Sequence, residues 1–250
     1  MVVQDQRKIV TVADPAELAK TAADRLMARI AANDGRVAIC LTGGSSPKQL
    51  YALLATDAYN KRIPFDRVHW FIGDERFVPP GDSRNNMTMA RGIFLDRFAP
   101  ASNIHPIPTD AANPDESAER YARELKSFYG LERLDPTRPL FDVVLMGVGP
   151  DGHTASIFPD YPALAETERW VVGVPHAHVT PLVPRVTLTL PALASCREML
   201  FEVAGSDKRA ILTRVLDGEN LPAARATSIG ETIWLVDTAA LPEAFRGQSA

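Results

Sequence analysis

Short apolar runs that break into glycine, hydroxyl or charged loops and then give way to helical segments recur along this 250-residue chain. Val37–Leu41, Val68–Ile72, Asp142–Met146, Glu198–Ala204 and Thr232–Val236 have the length and continuity of strands buried on both faces, as in a parallel sheet. Between them lie helices with readable starts. Asp14-Pro15 supplies an N-cap and a proline at the first helical position, and Leu18, Ala22, Leu26 and Ile30 then recur at helical spacing to about Asn33. Pro47 opens a helix to about Leu54, Asn85 one to about Phe98, and Gly205 a turn into a helix ending near Leu216. Pro114–Tyr129 is amphipathic, its charges forming a solvated face. Strands alternating with helices predict an α/β fold with a doubly wound, mainly parallel sheet, Rossmann-like, with helices on both faces. Lys8–Val12, Ile104–Ile107, Trp170–Val174 and Arg185–Leu190 are further expected strands. No repeat or boundary interrupts the pattern, so residues 1–250 read as one domain.

Composition excludes several classes. With 46% hydrophobic and 23% charged residues the chain is that of a soluble globular protein. No apolar run reaches the length of a membrane span. Met1–Lys8 is polar and carries no secretory signal, which predicts a cytoplasmic protein. The two cysteines, Cys40 and Cys196, have neither disulfide-framework nor metal-ligand spacing and read as reduced thiols. A net charge of −4 without a basic run argues against nucleic acid, so an anionic ligand needs a local positive pocket. No large exposed apolar face is evident, which predicts a monomer.

The loops that follow the strands carry the chemistry. Thr42-Gly43-Gly44-Ser45-Ser46-Pro47 places glycines and hydroxyls before a helix N-terminus, where free N–H groups and the helix dipole favour an anion. It lacks the Gly-Lys-Ser/Thr ending of a Walker loop, and a plain turn with Ser46 as N-cap remains open. Gly73-Asp74-Glu75-Arg76 puts three charges at the end of a buried run. They form either a solvated ion-pair cluster or part of the crevice beyond the strand ends, with Val78-Pro79-Pro80-Gly81 as a partial lid. Gly147-Val148-Gly149-Pro150-Asp151-Gly152-His153 ends the Asp142 strand and positions His153 for chemistry, followed by a short helical turn closed by Pro159. Its Gly147-x-Gly149-x-x-Gly152 spacing matches a dinucleotide fingerprint. Pro159, however, allows no full helix, and no acidic residue closes the next apolar run. His176 and His178 lie in a proline-rich loop without a third ligand at metal spacing and read as solvated. Lys208 stands in the first turn of a helix, where a cation opposes the dipole unless an anion or Asp207 compensates.

Gathered at one sheet edge, these loops supply an anion cradle, several cations, an Asp/Glu pair and one histidine. That inventory suits a phosphorylated small molecule and acid–base chemistry, with water rather than a protein side chain as nucleophile and no cofactor or metal.

Six segments in this order resemble the 6-phosphogluconolactonases of the glucosamine/galactosamine-6-phosphate isomerase superfamily. They are Leu41–Pro47, Gly73–Pro79, Asn86-x-x-Met89-Ala90-Arg91, Gly147–Pro159, Arg185–Thr189 and Ala204–Lys208, and together they span nearly the whole chain. The resemblance implies hydrolysis of a phosphosugar lactone, the second step of the oxidative pentose phosphate route. It also implies that His153 acts as general base and then acid, that Asp151 orients it or lies close by, and that Arg76 steadies the oxyanion or sugar hydroxyls. The phosphate would rest on Gly43, Gly44, Ser45, Lys208 and Arg185, in the loop opened by Thr42, with Asp74 toward the sugar hydroxyls. Amino-sugar phosphate deaminases of the same superfamily carry Asn-Glu-Pro where this chain has Ile157-Phe158-Pro159, and usually tyrosine at Arg76. Both differences favour the lactonase. A sugar-phosphate-sensing regulator would need a DNA-binding segment, for which the short N-terminal arm leaves no expected room.

Overall fold

The computed structural model describes residues 7–245. Six strands form the main sheet: β1 (Arg7–Val12), β2 (Val37–Leu41), β3 (Val68–Ile72), β5 (Phe141–Met146), β8 (Cys196–Val203) and β9 (Glu231–Asp237). Their order is β1-β9-β8-β5-β2-β3, and every pairing is parallel. Every residue of β2 and β5 is buried, so helices and loops cover both faces of the central strands, as parallel sheets require. The first helix, α1 (Pro15–Ala31), is capped by the Asp14 carboxylate, which accepts from the Ala16 and Glu17 N–H groups. It buries Leu18, Ala22, Leu26 and Ile30, the predicted stripe. α2 (Ser46–Leu54) follows β2 and buries Leu50, Tyr51 and Leu54.

The chain leaves β2 toward β3 and leaves β5 toward β8, in opposite directions across the sheet. The crevice between β2 and β5 is therefore the topological switch point, where open α/β sheets bind ligands. The loops after β2, β5 and β8 open at this crevice.

Two expectations are corrected. Asp74–Arg76 is not a loop but a three-residue strand, β4. It pairs antiparallel with β7 (Arg185–Leu188), which in turn pairs with β6 (Val171–Val174), forming a second sheet in the order β4-β7-β6. β6 and β7 are thus absent from the parallel sheet. Gly73 is the junction: its N–H donates to the Leu41 carbonyl in the first sheet, and its carbonyl accepts from the Leu188 N–H in the second. Ile104–Ile107 contributes only an isolated bridge between Ile104 and Trp70. Among the described residues no helix is long and apolar enough to cross a membrane.

Glu75, which the sequence leaves without a role, ties the second sheet to the next helix, Asn86–Ala90. Its fully buried carboxyl accepts from the N–H groups of Arg76 on β4 and of Asn86 and Met87 in the first turn of that helix. Burial pushes this carboxyl up to about 7, against those three bonds, which favour the charged form. Glu75→Ala is expected to cost roughly 2–4 kcal/mol, because it strands N–H groups that no water can reach. Urea denaturation at pH 7 measures it, and a change within about 0.5 kcal/mol would mean other acceptors take over.

Candidate active site

A cavity of about 570 Å³ occupies the switch point, and nine of the ten residues singled out from the sequence line it, all but Asp151. Three loops and the second sheet build it. From the first loop, Thr42 is pinned by Tyr51, whose hydroxyl accepts from the Thr42 N–H at 3.0 Å and donates to its carbonyl at 2.8 Å. Gly44 adopts φ +107°, in the left-handed region that favours glycine. α2 begins at Ser46, and its N-cap, Ser45, makes no side-chain capping bond, which displaces the expectation that Ser46 caps the helix. The Ser45 hydroxyl therefore makes no bond to the first-turn N–H groups. The Asn86 amide lies against Gly43, where an added Cβ would approach its Oδ1 to 2.1 Å, and its Nδ2–H₂ donates to the Asp74 carbonyl.

The second sheet brings Asp74, Arg76 and Arg185 to the same wall, Arg76 directly opposite Arg185 in the β4–β7 register. The buried Asp74 carboxylate accepts from the Ser156 hydroxyl at 2.6 Å. Arg76 donates from Nη1 to the Arg84 carbonyl, while its buried Nε–H has no partner among the described residues. Arg185 is buried, donating to the Val183 and Pro181 carbonyls, and burial lowers its pKa. Lys208 sits on a 3-10 turn after β8 rather than inside the following helix, and its ammonium donates to the Val148 carbonyl at 2.9 Å.

No helical turn follows His153. The loop instead folds on itself: the Gly149 N–H donates to the His153 carbonyl, the Gly152 N–H to the Gly149 carbonyl, and the Thr154 hydroxyl to the Gly147 carbonyl. This presents the His153 ring to the cavity. Asp151 stands behind it, outside the cavity lining, with Oδ1 2.5 Å from His153 Nδ1. Its other oxygen lies 2.7 Å from Nε2 of His178, whose Nδ1 is 3.3 Å from the Tyr161 hydroxyl. One set of protons satisfies every contact. His153 donates from Nδ1–H and His178 from Nε2–H to Asp151, and Tyr161 donates to His178, so His153 Nε2 is left as the accepting nitrogen. Burial alone would raise the Asp151 carboxyl. The hydrogen bond and charge of His153, with the His153 N–H and His178 bonds, outweigh it and hold the group ionised well below the usual carboxylate range.

His178 is exposed, as its proline-rich loop suggests, but it is also held by Asp151. The loop folds back and sets it on Asp151, a long-range contact that local spacing does not signal. His176 remains exposed. Phe158 is fully buried and packs on both imidazoles, ring centroids 4.8 Å from His153 and 5.0 Å from His178. Sequence reasoning also misses Glu202, a carboxyl bordering the cavity from inside β8. A lone acidic residue within the run Met199–Val203 is its available signal.

Comparisons with known proteins agree with this geometry. A family model described as glucosamine-6-phosphate isomerases/6-phosphogluconolactonase matches residues 13–234. A 6-phosphogluconolactonase of Synechocystis is 40% identical over 212 residues, covering 82% of this chain and 84% of that protein. The Streptomyces coelicolor 6-phosphogluconolactonase is 37% identical over 250 residues, 94% of each chain. The crystal structure of 6-phosphogluconolactonase from Leishmania guyanensis superposes with a TM-score of 0.83 at 28% identity, covering 98% of this chain and 99% of that one.

Proposed function

Because the chain belongs to the family of glucosamine-6-phosphate isomerases and 6-phosphogluconolactonases, we propose that it hydrolyses 6-phospho-D-glucono-1,5-lactone to 6-phosphogluconate with His153 activating the water. Lactone opening is the activity named in its relatives. The observation that carries the assignment is the Asp151-held imidazole of His153 in the same cavity as the Thr42–Ser46 loop and Lys208. A base at one wall and an anion cradle at another match a substrate with a reactive ester at one end and a phosphate at the other.

The reaction proceeds from these residues. His153 Nε2 takes a proton from a water that attacks the lactone carbonyl carbon, and the resulting imidazolium is stabilised by ionised Asp151. Charge develops on the carbonyl oxygen, where the unpartnered Nε–H of Arg76 is the available donor. The tetrahedral centre then collapses, the bond to the ring oxygen breaks, and the imidazolium returns its proton to that oxygen. The product is the open-chain hydroxy acid, which ionises, and the enzyme is restored. Side chains supply every step, without a metal. Gly43, Gly44, Ser45, Lys208 and Arg185 hold the phosphate, and Asp74, oriented by Ser156, accepts from a sugar hydroxyl.

The phenyl ring of Phe158 against His153 favours this reading over amino-sugar deamination. It brings no carboxyl to the place where a ring-opening acid would act.

Lys208→Ala tests the phosphate assignment. A charged hydrogen bond contributes about 1.5–3 kcal/mol, so KM for the phosphorylated lactone is expected to rise roughly ten- to hundredfold with kcat little changed. KM for unphosphorylated gluconolactone should not move. Initial rates with spontaneous opening subtracted measure both, and equal shifts for the two lactones would remove Lys208 from the phosphate.

A further inference from the structure

Glu202 is a charge-bearing group for which the lactone-opening mechanism has no use. It lies in the last part of β8, is 3% exposed, and borders the cavity, yet among the described residues neither carboxyl oxygen has a hydrogen-bond partner. A buried polar group without a partner costs stability, and one that borders a ligand cavity can be completed by the ligand. Its position says which part of a ligand. The turn that follows β8 carries Lys208, and Glu202 lines the same cavity as Lys208 and the Thr42–Ser46 loop, the proposed anion cradle.

An ionised carboxylate there would repel a phosphate, whereas a neutral carboxylic acid is a hydrogen-bond donor. We propose that Glu202 is a ligand of the substrate phosphate, donating its O–H to a phosphate oxygen, and that ionisation of Glu202 switches this contact from attraction to repulsion. The inference rests on the phosphosugar reading of the cavity.

The surroundings keep the acid neutral at physiological pH. Burial pushes the Glu202 carboxyl up to about 8. Tyr51 on α2 and Cys40 on β2 are both shifted well upward by burial and stay neutral across the relevant range. Lys208 is engaged with the Val148 carbonyl, and Asp74 with Ser156. The contribution of Glu202 to phosphate affinity is therefore constant below about pH 7. Above about pH 8 it weakens by up to about tenfold per pH unit, and binding then takes up a proton. Stability moves with the same group. The folded carboxyl titrates near 8 against an ordinary value of 4.5, so the folded state holds the extra proton between these values. The contribution of Glu202 to stability accordingly falls as pH rises from about 4.5 to about 8 and is flat above.

The test is equilibrium binding of 6-phosphogluconate, a stable product, by calorimetry from pH 6 to 9.5, with gluconate as the phosphate-free control. Wild type is expected to lose at least about tenfold in affinity between pH 7 and 9.5 and to take up protons in that range. Glu202→Gln, which keeps a donor but cannot ionise, should lose this pH dependence. Glu202→Leu should bind about tenfold more weakly at pH 7 while melting roughly 5 °C higher than wild type at pH 8. Weaker binding with a higher Tm is a pairing that a merely structural role would not produce. A flat wild-type profile, or a Glu202→Gln profile with the wild-type slope, would overturn the proposal alone. Absence of 6-phosphogluconate binding at pH 7 would overturn the phosphosugar reading and this inference with it.

Discussion

His153→Ala is expected to lower kcat by about a hundredfold or more while leaving KM within a few-fold of wild type. The loss reflects the two proton transfers proposed for the imidazole, from water during attack and to the ring oxygen as the bond breaks. His178, which also lines the cavity, is held by the same carboxylate, but its second nitrogen lies 3.3 Å from the Tyr161 hydroxyl. Asp151 cannot substitute, because it stands behind His153, outside the cavity lining. Spontaneous opening of the lactone must be subtracted, since the residual rate of the variant approaches it. Thermal unfolding serves as the control for an intact fold. A kcat near wild type in a folded variant would remove His153 from proton transfer and leave the Arg76 donor as the main contributor.

Gly149→Ala is expected to come close to the same loss without touching the base itself. A Cβ on Gly149 would lie 1.9 Å from His153 Cε1 and 2.0 Å from Nδ1. The backbone there is pinned on both sides, through the Gly149 N–H to the His153 carbonyl and the Gly149 carbonyl to the Gly152 N–H. The methyl group therefore has to move the ring, and the ring leaves Asp151. A displacement on the order of 1 Å costs about a hundredfold in rate when reacting groups must align. The expected signature is a kcat reduced about hundredfold with 6-phosphogluconate binding retained. Full activity would mean that the loop opens to accommodate the methyl group and that the observed Asp151–His153 contact is not needed for turnover.

The parallel sheet and most of the cavity can be read from sequence because their signals are local. The strands of that sheet are continuous apolar runs, and their helices are announced by Asp14-Pro15 and Pro47. The cavity residues lie in loops whose glycines and hydroxyls have few other uses at the end of a buried strand. The features that sequence does not reveal are long-range. Asp74-Glu75-Arg76 contains no apolar residue to mark it as a strand. It becomes one only because β7 arrives antiparallel from more than a hundred residues on. The Asp151–His178 contact likewise depends on the path of the proline-rich loop, which has no periodicity to read. Glu202 is different: its signal is local, a carboxylate inside an apolar strand, and its consequence emerges only once burial shows it to be unpartnered.

A coupled hydrolysis assay on freshly generated 6-phosphogluconolactone, run beside ammonia release from glucosamine-6-phosphate, decides between the two activities of the family. Lactone opening well above the spontaneous rate, abolished in His153→Ala, with no ammonia released, is the predicted result. Ammonia release without lactone opening would contradict it, and would show that Phe158 beside His153 does not exclude deamination.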